Sequence, residues 1–213
     1  MNNFYNNKFW NNYYKKNYRK KNSSFSKFCF NNFIKFNNYK KKNLIDIGCG
    51  NGADSYFFYK KNLNIYALDE SKVAIRNNLI LYKNKINFIL ASIFSKFKFK
   101  IKFSYIYLRF FLHTIRPNEE KRLFKIIKRL GEKGSLIFFE FRTDKDPLMK
   151  KGNLSKYNIT FTDHYRRFIN LKKLIFLLKK DKKIKILYVI EKKGLSRYRS
   201  DNPVLARLIL RLN

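Results

Sequence analysis

The stretch Leu44-Ile45-Asp46-Ile47-Gly48-Cys49-Gly50-Asn51-Gly52-Ala53 constrains the fold of this chain more than any other segment. A short apolar strand over 44–47 runs directly into glycines at alternate positions, and a helical run follows over 53–61. Glycine accepts backbone conformations that a Cβ forbids. Such a loop therefore turns tightly from strand to helix and lets a ligand approach the main chain. This is the opening of a βαβ unit, in which ligands lie beyond the carboxyl ends of parallel strands.

The rest of the chain continues that alternation. A strand over 64–68 ends on Asp69 and Glu70, and Ser71 is placed to open a short helix to Asn78. Further strands are expected over 86–90, 103–108, 135–141 and 184–190, with 194–199 as a returning hairpin arm. The stretch 92–102 alternates Phe with Lys and is ambiguous. Pro117 starts a helix to Leu130 with Glu119 and Glu120 in its first turn, where the helix dipole favours them, and Gly131 and Gly134 end it. A helix over 168–180 and a basic amphipathic C-terminal helix over 203–212 complete the reading.

Before the glycine loop, Phe4, Tyr5, Phe9, Trp10, Tyr13 and Tyr14 recur at helical spacings. Phe25, Phe28, Phe33, Ile34 and Phe36 do so again, with Ser23 or Ser24 as N-cap. Residues 1–43 thus read as a helical, low-complexity cap and 44–213 as one α/β domain, a mostly parallel sheet with helices on both faces. A chain of 213 residues has no room for a second domain of ordinary size.

The formal charge of +35 attracts polyanions and anionic membranes. Lys, Asn, Ile, Phe and Tyr are also the residues that AT-rich codons favour, and the lysines are spread along the chain, so the charge alone is a weak indication of a partner. Cys29 and Cys49 are spaced for neither a metal site nor a disulfide framework, so no metal is expected. Without a signal-peptide core near the N-terminus or an apolar run of about 18 residues, a cytoplasmic protein without a transmembrane segment is expected.

Read literally, Gly48, Gly50 and Ala53 also satisfy the dinucleotide fingerprint G-x-G-x-x-G/A. Asp46 separates the two readings. A dinucleotide would lay its anionic pyrophosphate over this loop, and a carboxylate two residues before the first glycine would repel it. A ligand carrying positive charge is attracted instead, while Asp69 at the end of the second strand suits either by accepting from ribose hydroxyls. The bland account, in which both aspartates merely cap a turn and a helix, does not explain why they bracket the glycines.

With these residues in view, the chain resembles the class I S-adenosylmethionine-dependent methyltransferases. LIDIGCGNG is similar to their first motif and IYALDES to their second. The resemblance implies a Rossmann-like sandwich on a seven-stranded sheet, with S-adenosylmethionine as cofactor. It implies that Asp46, Gly48, Cys49, Gly50, Asn51 and Gly52 line the methionine end. Asp69 would hold the ribose, flanked by Glu70 or Ser71, and the adenine would lie near Ala91 and Ser92. Two positions depart from the pattern: Ser92 replaces the usual acidic residue after the third strand, and Ser104 an aspartate common before the fourth. SSFSKF, YLRFFLHTI, FFEFRTDKD and FTDHYRRFI are similar to a bacterial subgroup linked to surface-glycan assembly.

Methyl transfer from a sulfonium needs mainly an acceptor held in line, and a hydroxyl acceptor gains from a base. His113 is the candidate base and Arg109 a substrate anchor; packing of His113 in a turn is the competing account. Arg142, His164, Tyr165 and Arg166 read as a polar lid for an anionic acceptor, against plain solvated loop charges. The leading expectation is O-methylation of a small-molecule or sugar/glycan acceptor. The C-terminal helix offers a peripheral membrane contact. Two rivals stay open: an RNA methyltransferase, and a cofactor- or nucleic-acid-binding protein with a decayed site.

Overall fold

The computed structural model describes residues 3–16, 21–83, 85–96, 99–151, 153–155, 158–160, 165–197 and 201–213. Helix α1 (Asn3–Lys16) and helix α2 (Ser24–Cys29), continued by a π turn (Phe30–Ile34), precede the first strand. There follow β1 (Asn43–Ile47), α3 (Ala53–Tyr59), β2 (Asn64–Asp69), α4 (Lys72–Tyr82), β3 (Asn87–Leu90) and β4 (Phe103–Arg109). Next come α5 (Pro117–Leu130), β5 (Gly131–Arg142), the short β6 (Asn153–Ser155), β7 (Asn158–Thr160) and β8 (Tyr165–Arg166), then α6 (Leu171–Lys179), β9 (Ile184–Lys192) and β10 (Leu205–Leu212).

The main sheet has seven strands in the order β3-β2-β1-β4-β5-β10-β9. β1 pairs in parallel with both β2 and β4, so the strand order reverses at β1. β10 alone runs antiparallel, between β5 and β9. Strand alternation sends Ile45, Ile106, Leu108, Ile137 and Phe139 to one face, with Leu123 and Ile127 of α5 and Leu174 and Leu178 of α6. The intervening Leu44, Tyr105, Tyr107 and Phe138 face Phe25, Cys29, Phe30 and Ile34 of the N-terminal segment and Phe58 of α3. The expected sandwich with helices on both faces is thus present, and Ser23 is the N-cap of α2, accepting from the Ser26 N–H.

Several elements differ from expectation. The segment 203–212 is no helix: Leu205–Leu212 is a strand inside the sheet, and Leu205, Ala206, Leu208 and Ile209 are fully buried. A run apolar on both faces fits a central strand as well as a helix, so periodicity cannot separate the two. The expected membrane contact has no C-terminal helix to carry it. Residues 194–197 do not form the hairpin arm either, since β9 takes β10 as its antiparallel partner.

Gly131 ends α5 as its C-cap, as expected, and at once begins β5; a Cβ there would lie 2.5 Å from Leu212 Cδ1, so close packing against β10 explains the glycine. The late helix starts at Leu171 and not 168, because Ile169 bridges to Thr143 and Asn170 caps the helix by accepting from Lys173 N–H. α4 runs past Asn78 to Tyr82, and α3 stops at Tyr59. The loop expected around Tyr165 and Arg166 is instead a strand of a small antiparallel sheet, β6-β7-β8. Among the described residues no helix is long and apolar enough to cross a membrane.

Candidate functional site

The reversal of strand order opens the sheet between β1 and β4, and the glycine loop sits at that carboxyl edge. Gly48, Gly50 and Gly52 all have positive φ, at 76°, 53° and 66°. L-residues reach that region only with strain, so alternate glycines are what permit the coil. The loop is pinned by Gly48 and Cys49 N–H donating to the Leu68 carbonyl at 2.8 and 2.9 Å and by Asn78 Nδ2 donating to the Gly50 carbonyl at 2.7 Å. Asn51 accepts through its carbonyl from the Tyr82 hydroxyl at 3.2 Å.

Asp69 ties the loop to α4. One carboxylate oxygen accepts from Gly50 N–H and the other from Ser71 N–H, both at 2.8 Å. Each oxygen keeps a lone pair for a ligand hydroxyl. Asp46 is 2% exposed and accepts from Ser55 Oγ at 2.5 Å. Burial pushes the Asp46 carboxyl up to about 8, against the pull of the Ser55 hydrogen bond and with help from Asp54. Burial likewise lifts Asp69 to about 6, while the Ser71 and Gly50 amides pull it down. In a chain with 49 Lys and Arg against 14 acids, neither aspartate forms a salt bridge among the described residues. At neutral pH Asp69 carries the charge and Asp46 is poised to ionise, with no cation in contact among the described residues, which fits a cationic ligand and opposes a pyrophosphate.

Aromatic side chains cover the loop. A Cβ on Gly48 would lie 2.7 Å from the Phe111 ring, one on Gly50 2.4 Å from the Tyr14 hydroxyl, and one on Gly52 2.9 Å from Phe88. Tyr14 belongs to α1, which Asn11 fastens over the site: its Oδ1 accepts from Ser71 Oγ at 2.8 Å and Val73 N–H at 3.2 Å. Burial, and then the Asp69 charge, push the Tyr14 phenol well above its usual range. Among the described residues its hydroxyl makes no hydrogen bond. Burial also raises the Cys49 thiol, so it stays protonated and serves as lining and not as a nucleophile.

The strand ends beside the loop carry the other expected residues. Ser92 follows β3 and accepts from Phe94 N–H at 3.3 Å; Glu70 is half-buried between β2 and α4. Arg109 at the end of β4 donates from Nε to Glu140 at 2.9 Å and from Nη2 to Ser196 at 2.9 Å, with its guanidinium over the Phe110 ring. Phe110 itself has φ of 55°, a strained conformation for a non-glycine residue, and it aims Phe111 back at the loop. His113 is 4% exposed in a 3-10 turn; its Nδ1 accepts from Arg142 N–H at 3.3 Å and its carbonyl from Arg167 N–H at 2.9 Å.

Arg142 is engaged by Asp146 at 2.8 Å and by Asp201. Tyr165 and Arg166 are half-buried in β8, where the next residue, Arg167, ties this segment to the His113 turn and to Glu120. His164 lies outside the described residues. The structure therefore gathers Asp46, the glycines and Asp69 around one corner, with Arg109 and His113 on the neighbouring strand end and Arg142 beyond them. Sequence reasoning did not single out Ser55, Asp54 or Phe111. Asp54 accepts from Ser23 Oγ and the Tyr107 hydroxyl, both at 2.8 Å, which fixes α3 beneath the loop. Its place directly after the glycines, in the first turn of a helix, was the available signal.

A family model described as a methyltransferase domain matches residues 14–180. No curated protein sequence matches the chain. Among solved structures, a SAM-dependent methyltransferase from Methanosarcina mazei is similar over 85% of this chain and 97% of its own, at 19% identity and a TM-score of 0.72. An S-adenosylmethionine-dependent methyltransferase from Clostridium acetobutylicum covers 97% of this chain and 98% of its own, at 15% identity and a TM-score of 0.66. Magnesium protoporphyrin IX methyltransferase from Synechocystis, solved with bound SAM, covers 88% and 78% at 12% identity, with a TM-score of 0.62.

Proposed function

The chain belongs to the methyltransferase domain family and is an S-adenosylmethionine-dependent methyltransferase; we propose that it methylates an oxygen of a small polar acceptor, a sugar or glycan intermediate being the leading class. The observation that carries the cofactor assignment is the pair Asp46 and Asp69, bracketing the glycine coil with no basic side chain among the described residues bonded to either. A donor with a sulfonium and an ammonium supplies the missing positive charge. Asp69 is placed to accept from the ribose hydroxyls, and the main chain of Gly48–Gly52 to border the methionine part. Glu70 and Ser92 stand at the strand ends that would flank the ribose and the adenine.

When bound, S-adenosylmethionine supplies a methyl group on an activated leaving group, which the acceptor oxygen displaces in line. The chain's own part is to hold the acceptor and exclude water. Arg109, held by Glu140, offers an anchor on the acceptor side. His113, held at the neighbouring strand end by the Arg142 N–H, remains the candidate base for a hydroxyl acceptor. Tyr165 and Arg166, with Arg142 and His164, are proposed to border the acceptor, α1 covering the other side.

Calorimetric titration tests the reading. Saturable binding of S-adenosylmethionine is expected, with no binding of NAD and loss of binding in an Asp46→Ala, Asp69→Ala variant; a folded protein that ignores S-adenosylmethionine would sink it. A second expectation concerns pH. Burial lifts the Asp46 carboxyl from the ordinary 3.8 to about 8, so in the free protein it costs stability progressively as pH rises through that window. A cationic ligand favours the ionised carboxylate. S-adenosylmethionine affinity should therefore rise by up to about tenfold per pH unit below 8 and level off above it. Proton release is expected at pH 7, read from the dependence of binding heat on buffer ionisation enthalpy; Asp46→Asn should abolish that release.

The cap gives a third expectation. Tyr14→Ala opens the aromatic cover over Gly50 and should weaken S-adenosylmethionine binding about tenfold, with Tyr14→Phe closer to wild type if the ring matters more than the hydroxyl. Slower proteolysis of α1 in the presence of ligand checks the same closure independently of turnover.

A further inference from the structure

We propose that the edge of the sheet opposite the methyl-transfer site is a docking track for single-stranded nucleic acid. The proposal goes beyond the methyltransferase assignment and does not depend on it. Of the described Asp and Glu residues, only Glu132 and Asp181 lie at the amino ends of the parallel strands, and Asp181 is neutralised there by Lys128. The other described carboxylates gather at the carboxyl edge, in the site or in its ion pairs. Codon bias enriches lysine everywhere, but it does not sort acids to one end of a sheet.

What remains at the amino edge is a row of exposed cations. Read across the sheet order, Lys85 leads into β3, Lys60 and Lys61 into β2, and Lys41 and Lys42 into β1. Lys100 and Lys102 lead into β4, Lys133 lies at the start of β5, Arg211 ends β10, and Lys182 and Lys183 lead into β9. Strands about 4.8 Å apart set these groups along a line of roughly 29 Å, long enough for several consecutive phosphates of one strand to meet a cation each. A linear row suits a linear polyanion, where a membrane would need cations spread over a plane.

Phe36 stands in the connection into β1, beside this row. It is 74% exposed, the most exposed large apolar side chain described, with Lys35 Nζ 4.8 Å from its ring centre. An exposed ring among lysines is a platform on which a base can stack. The row is separated from the glycine loop by the length of β1, about 17 Å. Nucleic acid bound here would hold the enzyme in place without offering a base to the methyl group.

The test is fluorescence anisotropy with a labelled 20-nucleotide oligouridylate across a salt series. One variant replaces Lys42, Lys60, Lys85, Lys100, Lys133 and Lys183 by Gln. A control removes the same charge elsewhere, replacing Lys27, Lys121, Lys125, Lys172, Lys173 and Lys193 by Gln. The track variant is expected to bind at least about tenfold more weakly at 150 mM salt, with a log–log salt slope lower by about 4, and the control within about twofold of wild type. Phe36→Ala should weaken binding several-fold without changing the slope. Equal weakening in the two lysine variants would reduce the effect to net charge and overturn the track. So would absent wild-type binding at 150 mM, or track-dependent binding to phosphatidylcholine–phosphatidylserine vesicles but not to the oligonucleotide. Titration of the track variant with S-adenosylmethionine should match wild type; loss of that binding in wild type would overturn the cofactor assignment alone.

Discussion

Replacing Asp69 by alanine is expected to weaken S-adenosylmethionine binding by about 100-fold or more. Hydrogen bonds to a charged group contribute about 1.5–3 kcal/mol each, and two ribose hydroxyls would lose their acceptor. The same substitution also releases the loop, because Asp69 accepts from both Gly50 and Ser71 N–H. Asp69→Asn keeps one acceptor oxygen and should fall between the two, near tenfold. Calorimetry at pH 7.5, above the value of about 6 to which burial lifts Asp69, keeps the carboxylate ionised and the comparison clean. A dissociation constant for Asp69→Ala within threefold of wild type would show that the ligand does not rest on this strand end.

The largest effect on stability is expected at Glu140. Its side chain is fully buried and accepts from Arg109 Nε at 2.9 Å and Arg207 Nε at 2.7 Å. Burial pushes its carboxyl upward and the two guanidiniums pull it back. Arg207 also donates to Ser24 Oγ and the Leu195 carbonyl, each at 2.9 Å, and lies over Phe25 and Phe28. One carboxylate thus joins β4, β5 and β10 to the N-terminal helical layer. Glu140→Gln leaves two largely buried cations without their counter-charge, a change that costs about 3–5 kcal/mol. For a domain of this size that corresponds to a Tm lower by about 6–20 °C. Replacing Glu140, Arg109 and Arg207 together by Met should recover most of the loss, since the penalty comes from unpaired charge and not from the missing contact. A Glu140→Gln protein melting within 2 °C of wild type would remove the triad from the stability argument.

The cofactor corner was legible because its requirements are local. Positive φ at Gly48, Gly50 and Gly52 follows from a strand that must turn at once into a helix, and Asp46 and Asp69 are fixed to it by neighbouring positions in sequence. The acceptor side was legible only as a set of residue types. Arg142 reads as a ligand-binding arginine, and its ion pairs with Asp146 and Asp201 are not visible there, since Asp201 is distant in sequence. His113 reads as a candidate base, and the contact of its Nδ1 with the Arg142 backbone amide, which comes from another strand, is not visible in the sequence.

The C-terminal segment shows the same division most plainly. Leu205-Ala206-Arg207-Leu208-Ile209-Leu210-Arg211-Leu212 has arginines four apart, as a helix face would, and apolar residues at every other position, as a strand buried on both faces would. Only the open edges of β5 and β9, which this segment pairs with on either side, decide for the strand. Glu140 then turns Arg207 from an apparent surface charge into a buried one. The sequence by itself determined the strand–glycine–helix unit, the alternating order of elements and the two aspartates bracketing the glycines, because each depends on backbone freedom and burial within a few residues. The tertiary structure alone decided the fate of segments whose period serves two conformations, and the partners of charges separated by tens of residues, because hydrogen-bond edges and counter-charges exist only once the sheet has assembled.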